Sequence, residues 1–397
     1  MITVDQAISI VLDRVEELGC ETVALEDAHR RILAEDIIAD IDLPPFDRAR
    51  MDGYAVRSAD VTEAPVSLRV IGEVPAGAKF QGKIHSGEAV KIFTGAPIPA
   101  GADAVQKVEV TRAEGDSVQI MEAVTAGQFI TPHGSEIAAG ETVAKIGHDI
   151  GAAEMAVLAS FGYSRVRVGR RPRVAVLSTG SELVEVSTKP SAAQIRNSNT
   201  YTLAAYAEQA GAVVNMHGIV EDTPEATHDA LIKAADNCDI VITSGGVSMG
   251  DYDLVKAALL EIGAEIYFDK VIIRPGKPIV FARRGKTFFF GLPGNPVSTS
   301  VTFNVFVRPA IRKMQGDSSP ALHIVNAALS RPVKDKSSRR SFLPARFYVE
   351  AGRAMAEPLK WGGSSDLVAF MRANALIIVN EDVHEIGEGQ LVEAMLL

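Results

Sequence analysis

The stretch Asp239-Ile240-Val241-Ile242-Thr243-Ser244-Gly245-Gly246-Val247-Ser248-Met249-Gly250-Asp251-Tyr252-Asp253 passes from an apolar run into glycines, hydroxyls and carboxylates. Apolar residues on successive positions suit a strand covered on both faces, the state of strands in a parallel sheet. Leu254, Ala257, Ala258, Leu260 and Ile262 then give a helix an apolar face that ends at Gly263. Strand, small-residue turn and helix together point backbone N–H groups and a helix dipole at an anion. In open parallel sheets ligands lie at the carboxyl ends of strands, where this turn falls. Asp251 adds to the reading. A carboxylate beside an anion cradle repels its ligand unless a cation bridges them, and phosphate with Mg2+ satisfies both.

Outward from that stretch the strand–helix alternation is regular. Val174–Leu177 and Val213–Val220 read as strands, Thr200–Gln209 as a helix closed by Gly211, and Asp222-Thr223-Pro224 as a helix start with a cap and a first-turn proline. Strands at Glu265–Ile273 and Pro278–Phe281 flank Arg274-Pro275-Gly276-Lys277. A hairpin through Arg283-Arg284-Gly285-Lys286 leads to Phe288–Phe290, and a last helix follows Leu292-Pro293-Gly294-Asn295-Pro296. Residues 170–317 are therefore expected to form a doubly wound, parallel α/β domain. Residues 318–397 return to strand-like runs, clearest at Ala375–Val379, and are expected to form a small β-barrel or sandwich.

At the other end, Thr3-Val4-Asp5-Gln6 is a capping box, followed by apolar residues at helical spacing from Val4 to Leu18, with Gly19 as the stop. A second amphipathic helix is expected within residues 21–41, from Leu25-Glu26-Asp27-Ala28 to Ile32-Leu33-Ala34. From Leu43-Pro44-Pro45-Phe46 the texture changes to short alternating runs divided by Gly- and Pro-rich turns, so residues 46–139 read as a β-rich domain. A helical pattern returns at Ala152–Phe161. The β-rich piece is thus inserted between residues 1–45 and 140–169, which are expected to pack together.

The chain has 397 residues, 47% hydrophobic and 23% charged, with room for two to four domains. Its formal net charge of −10 argues against nucleic acid or an anionic membrane as a broad partner, so an anionic ligand would need a local basic pocket. Lys270, Arg274 and Lys277, around a turn stiffened by Pro275 and Pro278, supply one. Cys20 and Cys238 form neither a metal spacing nor a disulfide framework, as in a reducing cytoplasm. The opening residues lack the basic and apolar segments of a signal peptide, and no apolar run reaches membrane-spanning length. A soluble, cytoplasmic protein is expected. No Walker-type loop is present, and no G-x-G-x-x-G follows a strand, so P-loop hydrolysis and nicotinamide chemistry lose ground.

Four loops leave the expected carboxyl edge of the sheet. They carry Thr179, Gly180 and Glu182; Asp222; Ser244, Gly245, Gly246, Ser248 and Asp251; and Pro293, Asn295, Pro296 and Ser298. Together they would line a polar cleft for a phosphorylated ligand and a metal ion. In the insert, Asp52-Gly53 and Thr94-Gly95 stand out, and both are also turn signals.

Six motifs occur here in order: Met51-Asp52-Gly53-Tyr54-Ala55, Thr94-Gly95-Ala96-Pro97-Ile98-Pro99, Ser178-Thr179-Gly180-Ser181-Glu182-Leu183, the Ser244–Asp253 stretch, Arg274-Pro275-Gly276-Lys277-Pro278 and Leu292-Pro293-Gly294-Asn295-Pro296. The series resembles the molybdopterin molybdenumtransferases and the E domain of gephyrin, across nearly the whole chain. The resemblance implies an elongated four-domain homodimer acting on adenylylated molybdopterin, supplied by a molybdopterin adenylyltransferase. With Mg2+ the phosphoanhydride is cleaved, AMP leaves and molybdate gives its metal to the dithiolene. The resemblance puts catalytic roles on Asp52, Thr94, Glu136, Glu182, Asp222 and Asp251, with Asp222 and Asp251 as metal ligands. It puts molybdate on Lys270, Arg274, Lys277, Arg340 and Ser364. Arg274 departs from the lysine common in the family, which changes the donor geometry, and Glu136 stands where the family has aspartate. Tungstate, nearly equal in size and charge, stays open as the cargo. The gephyrin resemblance also leaves open a non-catalytic binding scaffold, although a scaffold would need neither the carboxylates nor the basic set.

Overall fold

The computed structural model describes residues 1–247 and 254–397. Ser248 and Asp251 therefore lie outside the described residues. The chain divides into two compact units: residues 1–35, 146–155 and 165–397, and residues 36–145 with 156–164.

The larger unit opens with helix α1 (Val4–Arg14), capped by Thr3 and Gln6 in the reciprocal arrangement its sequence promised. It is shorter than the apolar spacing suggested. Val15 is already extended, and Val15 and Leu18 reach the core from non-helical chain. The α/β domain follows as β1 (Arg173–Thr179), α2 (Asn199–Gln209), β2 (Val213–Val220), α3 (Pro224–Ala235), β3 (Ile240–Ser244), α4 (Leu254–Glu261), β4 (Glu265–Lys270), β5 (Pro278–Arg284), β6 (Thr287–Leu292), α5 (Pro296–Thr302) and α6 (Arg308–Met314). The sheet order is β2-β1-β3-β6-β5-β4. The first four strands are parallel, while β5 runs antiparallel to both of its neighbours, β6 and β4, so the sheet is mixed rather than wholly parallel. The tight hairpin between Arg284 and Thr287 forces the reversal.

The strands are buried on both faces, with residues alternating between two cores. Val174, Val176, Ile240, Ile242, Phe288 and Phe290 meet α1, α2 and the α5–α6 segment. Ala175, Leu177, Val241 and Phe289 meet α3 and α4. Phe281, Phe289 and Phe290 are among the largest fully buried side chains, each contributing about 2–3 kcal/mol by burial.

The expected strand Glu265–Ile273 breaks after Lys270, and Ile273–Arg274 leaves the sheet to pair in parallel with Arg340–Ser341. That exchange ties the α/β domain to the last one. There β7 (Ile324–Leu329), β8 (Arg340–Glu350), β9 (Arg353–Pro358), β10 (Ala375–Val379) and β11 (Leu391–Leu396) close on themselves in the order β8-β9-β7-β11-β10, with β10 returning to β8. Ala327, Leu329, Ala345, Ile377 and Val392 fill this five-stranded barrel.

The second amphipathic helix expected in residues 21–41 is not there. Cys20–Ala24 is a strand paired antiparallel with Arg165–Gly169, Leu25–Asp27 is a single short turn, and Ile37–Ile38 is a short strand. Ile32 and Leu33 are buried in succession because each makes a bridge on extended chain, Ile32 to Asp149 and Leu33 to Val168.

The smaller unit holds a six-stranded sheet in the order Ala104–Lys107, Gly53–Val56, Glu88–Ile92, Val66–Val74, Ser117–Ile120, Thr111–Glu114. Asp52-Gly53 is not the two-residue hairpin its composition signalled. Gly53 starts a strand that lies between two neighbours, and a Cβ on it would sit 1.9 Å from the carbonyl oxygen of Gln106. Among the described residues no helix is long and apolar enough to cross a membrane.

Candidate functional site

The carboxyl ends of β1, β3 and β6 bring the expected loops together in the larger unit. Thr179, the last residue of β1 and buried, donates its hydroxyl to Asp222 Oδ1 at 2.8 Å. The Glu182 carboxylate overlies Gly180, where an added Cβ would meet Oε2 at 2.7 Å. Gly245 (φ +90°) lies so close to β1 that a Cβ would fall 2.1 Å from the Thr179 carbonyl oxygen, so only glycine fits. Ser244 donates to Pro293 O at 3.3 Å and accepts from Asn199 Nδ2 at 2.7 Å, while that amide also donates to Gly294 O at 2.7 Å. Asn199, first residue of α2, thus clamps two of the loops. It escaped the sequence reading, although Asn197-Ser198-Asn199 at a helix start was the available signal.

Beside this edge is a cavity of about 340 Å³ lined by the whole Arg274–Pro278 turn, by Pro293, Asn295 and Ser298, and by Arg339, Trp361, Gly363 and Ser364. The turn is seated by Gly276 (φ +104°), whose missing Cβ would strike Thr302 Cγ2 at 2.4 Å. Asn295 caps α5 through its backbone alone, which leaves its amide to the cavity. Val297 N donates to Ser364 O at 3.0 Å, fixing the Trp361–Ser364 loop over the same opening. Arg274, Lys277, Asn295, Ser298 and Ser364 of the expected set therefore converge.

Lys270 and Arg340 do not. Lys270 ends β4, and its carbonyl accepts from Ile2 N. Arg340 makes a two-pronged contact with Asp5, Nη1 to Oδ1 at 2.6 Å and Nη2 to Oδ2 at 2.9 Å, which raises its own pKa and lowers that of Asp5. Its neighbour Arg339 lines the cavity and donates to Ile273 O at 3.0 Å. Adjacent side chains entering a strand leave on opposite sides, so only one of the two arginines faces the cavity. Arg339 and Trp361 were missed by the sequence reading. The pairing of Ile273–Arg274 with β8 brings Arg339 in, and no local pattern encodes that pairing.

In the smaller unit, Asp52 is exposed and accepts two hydrogen bonds from Thr94, from Oγ1 and from N, each 2.7 Å. The hydroxyl first and the amide second hold its carboxyl below the usual aspartate range. Glu136 is paired with Arg48 at 2.9 Å. Among the described residues no three carboxylates, histidines or cysteines gather as a metal site.

Three family models cover most of the chain: MoeA N-terminal region (domain I and II) over residues 2–162, probable molybdopterin binding domain over 175–313, and MoeA C-terminal region (domain IV) over 326–397. A molybdopterin molybdenumtransferase of Bacillus subtilis is 35% identical over all of this chain and 94% of its own length. One from Nostoc sp. is 44% identical over 75% of this chain and 70% of its own. The molybdopterin biosynthesis moeA protein of Pyrococcus horikoshii OT3, solved by crystallography, superposes with a TM-score of 0.83 at 32% identity over the full length of both. On these matches the chain belongs to the molybdopterin molybdenumtransferase family.

Proposed function

We propose that this chain inserts molybdate into molybdopterin delivered in adenylylated form, with release of AMP, and that the oxyanion enters the cavity lined by Arg274, Lys277 and Arg339. The observation that carries the reading is that cavity. It collects three cationic side chains, with Asn295, Ser298 and Ser364, beside the strand edge in a protein of net charge −10. A tetrahedral dianion is matched by rigid charged donors with hydroxyls and amides between them. Arg339 takes the place here that the sequence reading gave to Arg340.

The adjoining edge suits the pterin phosphate. Thr179, Gly180, Ser244, Gly245 and Gly246 bring backbone within reach of a ligand that side chains would block, and Asn199 holds the loops in register. Pro293 and Pro296 stiffen the facing loop. Mg2+ fits the donors available: Asp222, with Asp251 outside the described residues and Glu182 nearby, offers hard oxygens in small number. That is how Mg2+ is commonly held, with one or two carboxylates and substrate phosphates completing the set. Bound there it would neutralise charge on the anhydride, where catalysis is mostly electrostatic. Asp52, exposed and held below the usual aspartate range by Thr94, serves as a fixed negative group rather than a proton donor. A homodimer completes the site, an adenylyltransferase supplies the substrate, and the setting is the cytoplasm.

The test mixes purified full-length protein with adenylylated molybdopterin, Mg2+ and molybdate and measures AMP. AMP release that needs both ions is the expected result. Stable substrate in the complete mixture would refute the reading.

A further inference from the structure

Of the three cations around the cavity, only Arg274 has a carboxylate partner among the described residues: its Nη1 donates to Asp335 Oδ1. Asp335 is 3% exposed. Its Oδ1 also accepts from Ser337 N at 2.9 Å, and its Oδ2 is buried with no hydrogen-bond partner. The backbone is pinned as well. Asp335 N donates to His384 O at 2.9 Å, just after the strand Val333–Lys334 pairs with Glu385–Ile386. A carboxylate buried with one oxygen unsatisfied is costly. It is a fixed charge beside the cavity, unlike a mobile surface partner.

We infer that Asp335 sets the charge of the oxyanion cavity, cancelling Arg274 so that Lys277 and Arg339 leave two positive charges opposite a tetrahedral dianion. Without it the cavity would hold three uncompensated cations, and a dianion would bind more tightly than a site that must pass on its cargo requires. The inference rests on reading the cavity as an oxyanion site. It assigns Asp335 to tuning affinity and charge selectivity through Arg274, without contact with the ion.

Asp335→Asn isolates the charge, because the amide oxygen can still accept from Arg274 and Ser337. Trp361, the sole tryptophan, lines the cavity, so its fluorescence in the intact protein reports ion binding. The titrants are molybdate and perrhenate, tetrahedral ions of two charges and one. Coulomb energy scales with ligand charge, so the variant should bind molybdate about tenfold and perrhenate about threefold tighter than the parent. Asp335→Glu retains the charge and should keep the parent's ratio of molybdate to perrhenate affinity, which separates charge from packing. Equal factors for the two ions, or molybdate binding that is unchanged or weaker in Asp335→Asn, would overturn the inference and leave the cavity reading standing. Failure of the parent to bind molybdate, by fluorescence and by equilibrium dialysis, would overturn both.

Discussion

Thr94 supplies Asp52 with two donors at 2.7 Å, and the consequence can be read in pH. Hydrogen bonds to the charged form depress the folded-state pKa below the ordinary value of 3.8. Their stabilisation is therefore fully present above that value and disappears as pH falls through the lower, folded one. Thr94→Val removes the hydroxyl and keeps the backbone donor. Carbon-13 NMR of the Asp52 carboxyl should show its titration moving up towards, and stopping short of, the ordinary value. No movement would mean that the hydroxyl contributes nothing. At this scale the sequence was legible where chemistry is local. Arg274 and Lys277 share one stiff turn, and Asp222 lies two residues past the end of a strand. Arg339 and Asp335 were not legible, because Asp335 meets Arg274 from 61 residues away and only the folded chain joins them.

Elements were readable where their own residues decide them. The Thr3–Gln6 capping box, the proline opening α3 and the double-faced burial of β3 all follow from short-range rules. Residues 21–41 misled because Leu25, Ile32 and Leu33 happen to fall at near-helical spacing. Ile32 and Leu33 are instead buried by neighbours across extended chain, with Arg30 at φ +62° breaking any helix. Asp52-Gly53 misled in a related way, since its glycine serves close packing and no turn needs it. Gly53→Ala is thus expected to cost about 1–3 kcal/mol, because the clash is with the Gln106 backbone of the paired edge strand. Chemical denaturation of the purified variant, followed by circular dichroism, checks this. A cost within about 0.5 kcal/mol, as for an ordinary surface change, would show that the sheet yields there.

Over the whole molecule, the doubly wound sheet was legible from alternation and its antiparallel pair from the hairpin through Arg283–Lys286, while the closure of the last strands into a barrel and the strand shared through Ile273–Arg274 were not. Asp52 and Thr94 belong to one compact unit and the Thr179–Asp222 edge to the other. With the resemblance, this motivates a homodimer in which each insert serves the neighbouring chain. Asp52→Ala and Asp222→Ala proteins, each inactive, should then recover on mixing and chain exchange. About half the molecules would be heterodimers with one intact site, giving about a quarter of parental activity. No recovery despite exchange, confirmed by differently tagged chains, would place both residues within one chain. The central claim concerns where the oxyanion goes, and the molybdate dependence of AMP release addresses it most directly. Lys277→Ala and Arg339→Ala should each raise the half-saturating molybdate concentration roughly ten- to hundredfold, the worth of one charge-assisted contact at about 1.5–3 kcal/mol. Arg340→Ala, which loses its contacts with Asp5 and Glu381, neither of which lines the cavity, should leave that concentration where it was. An unchanged molybdate dependence in the first two variants, or a large shift in the third, would contradict the account.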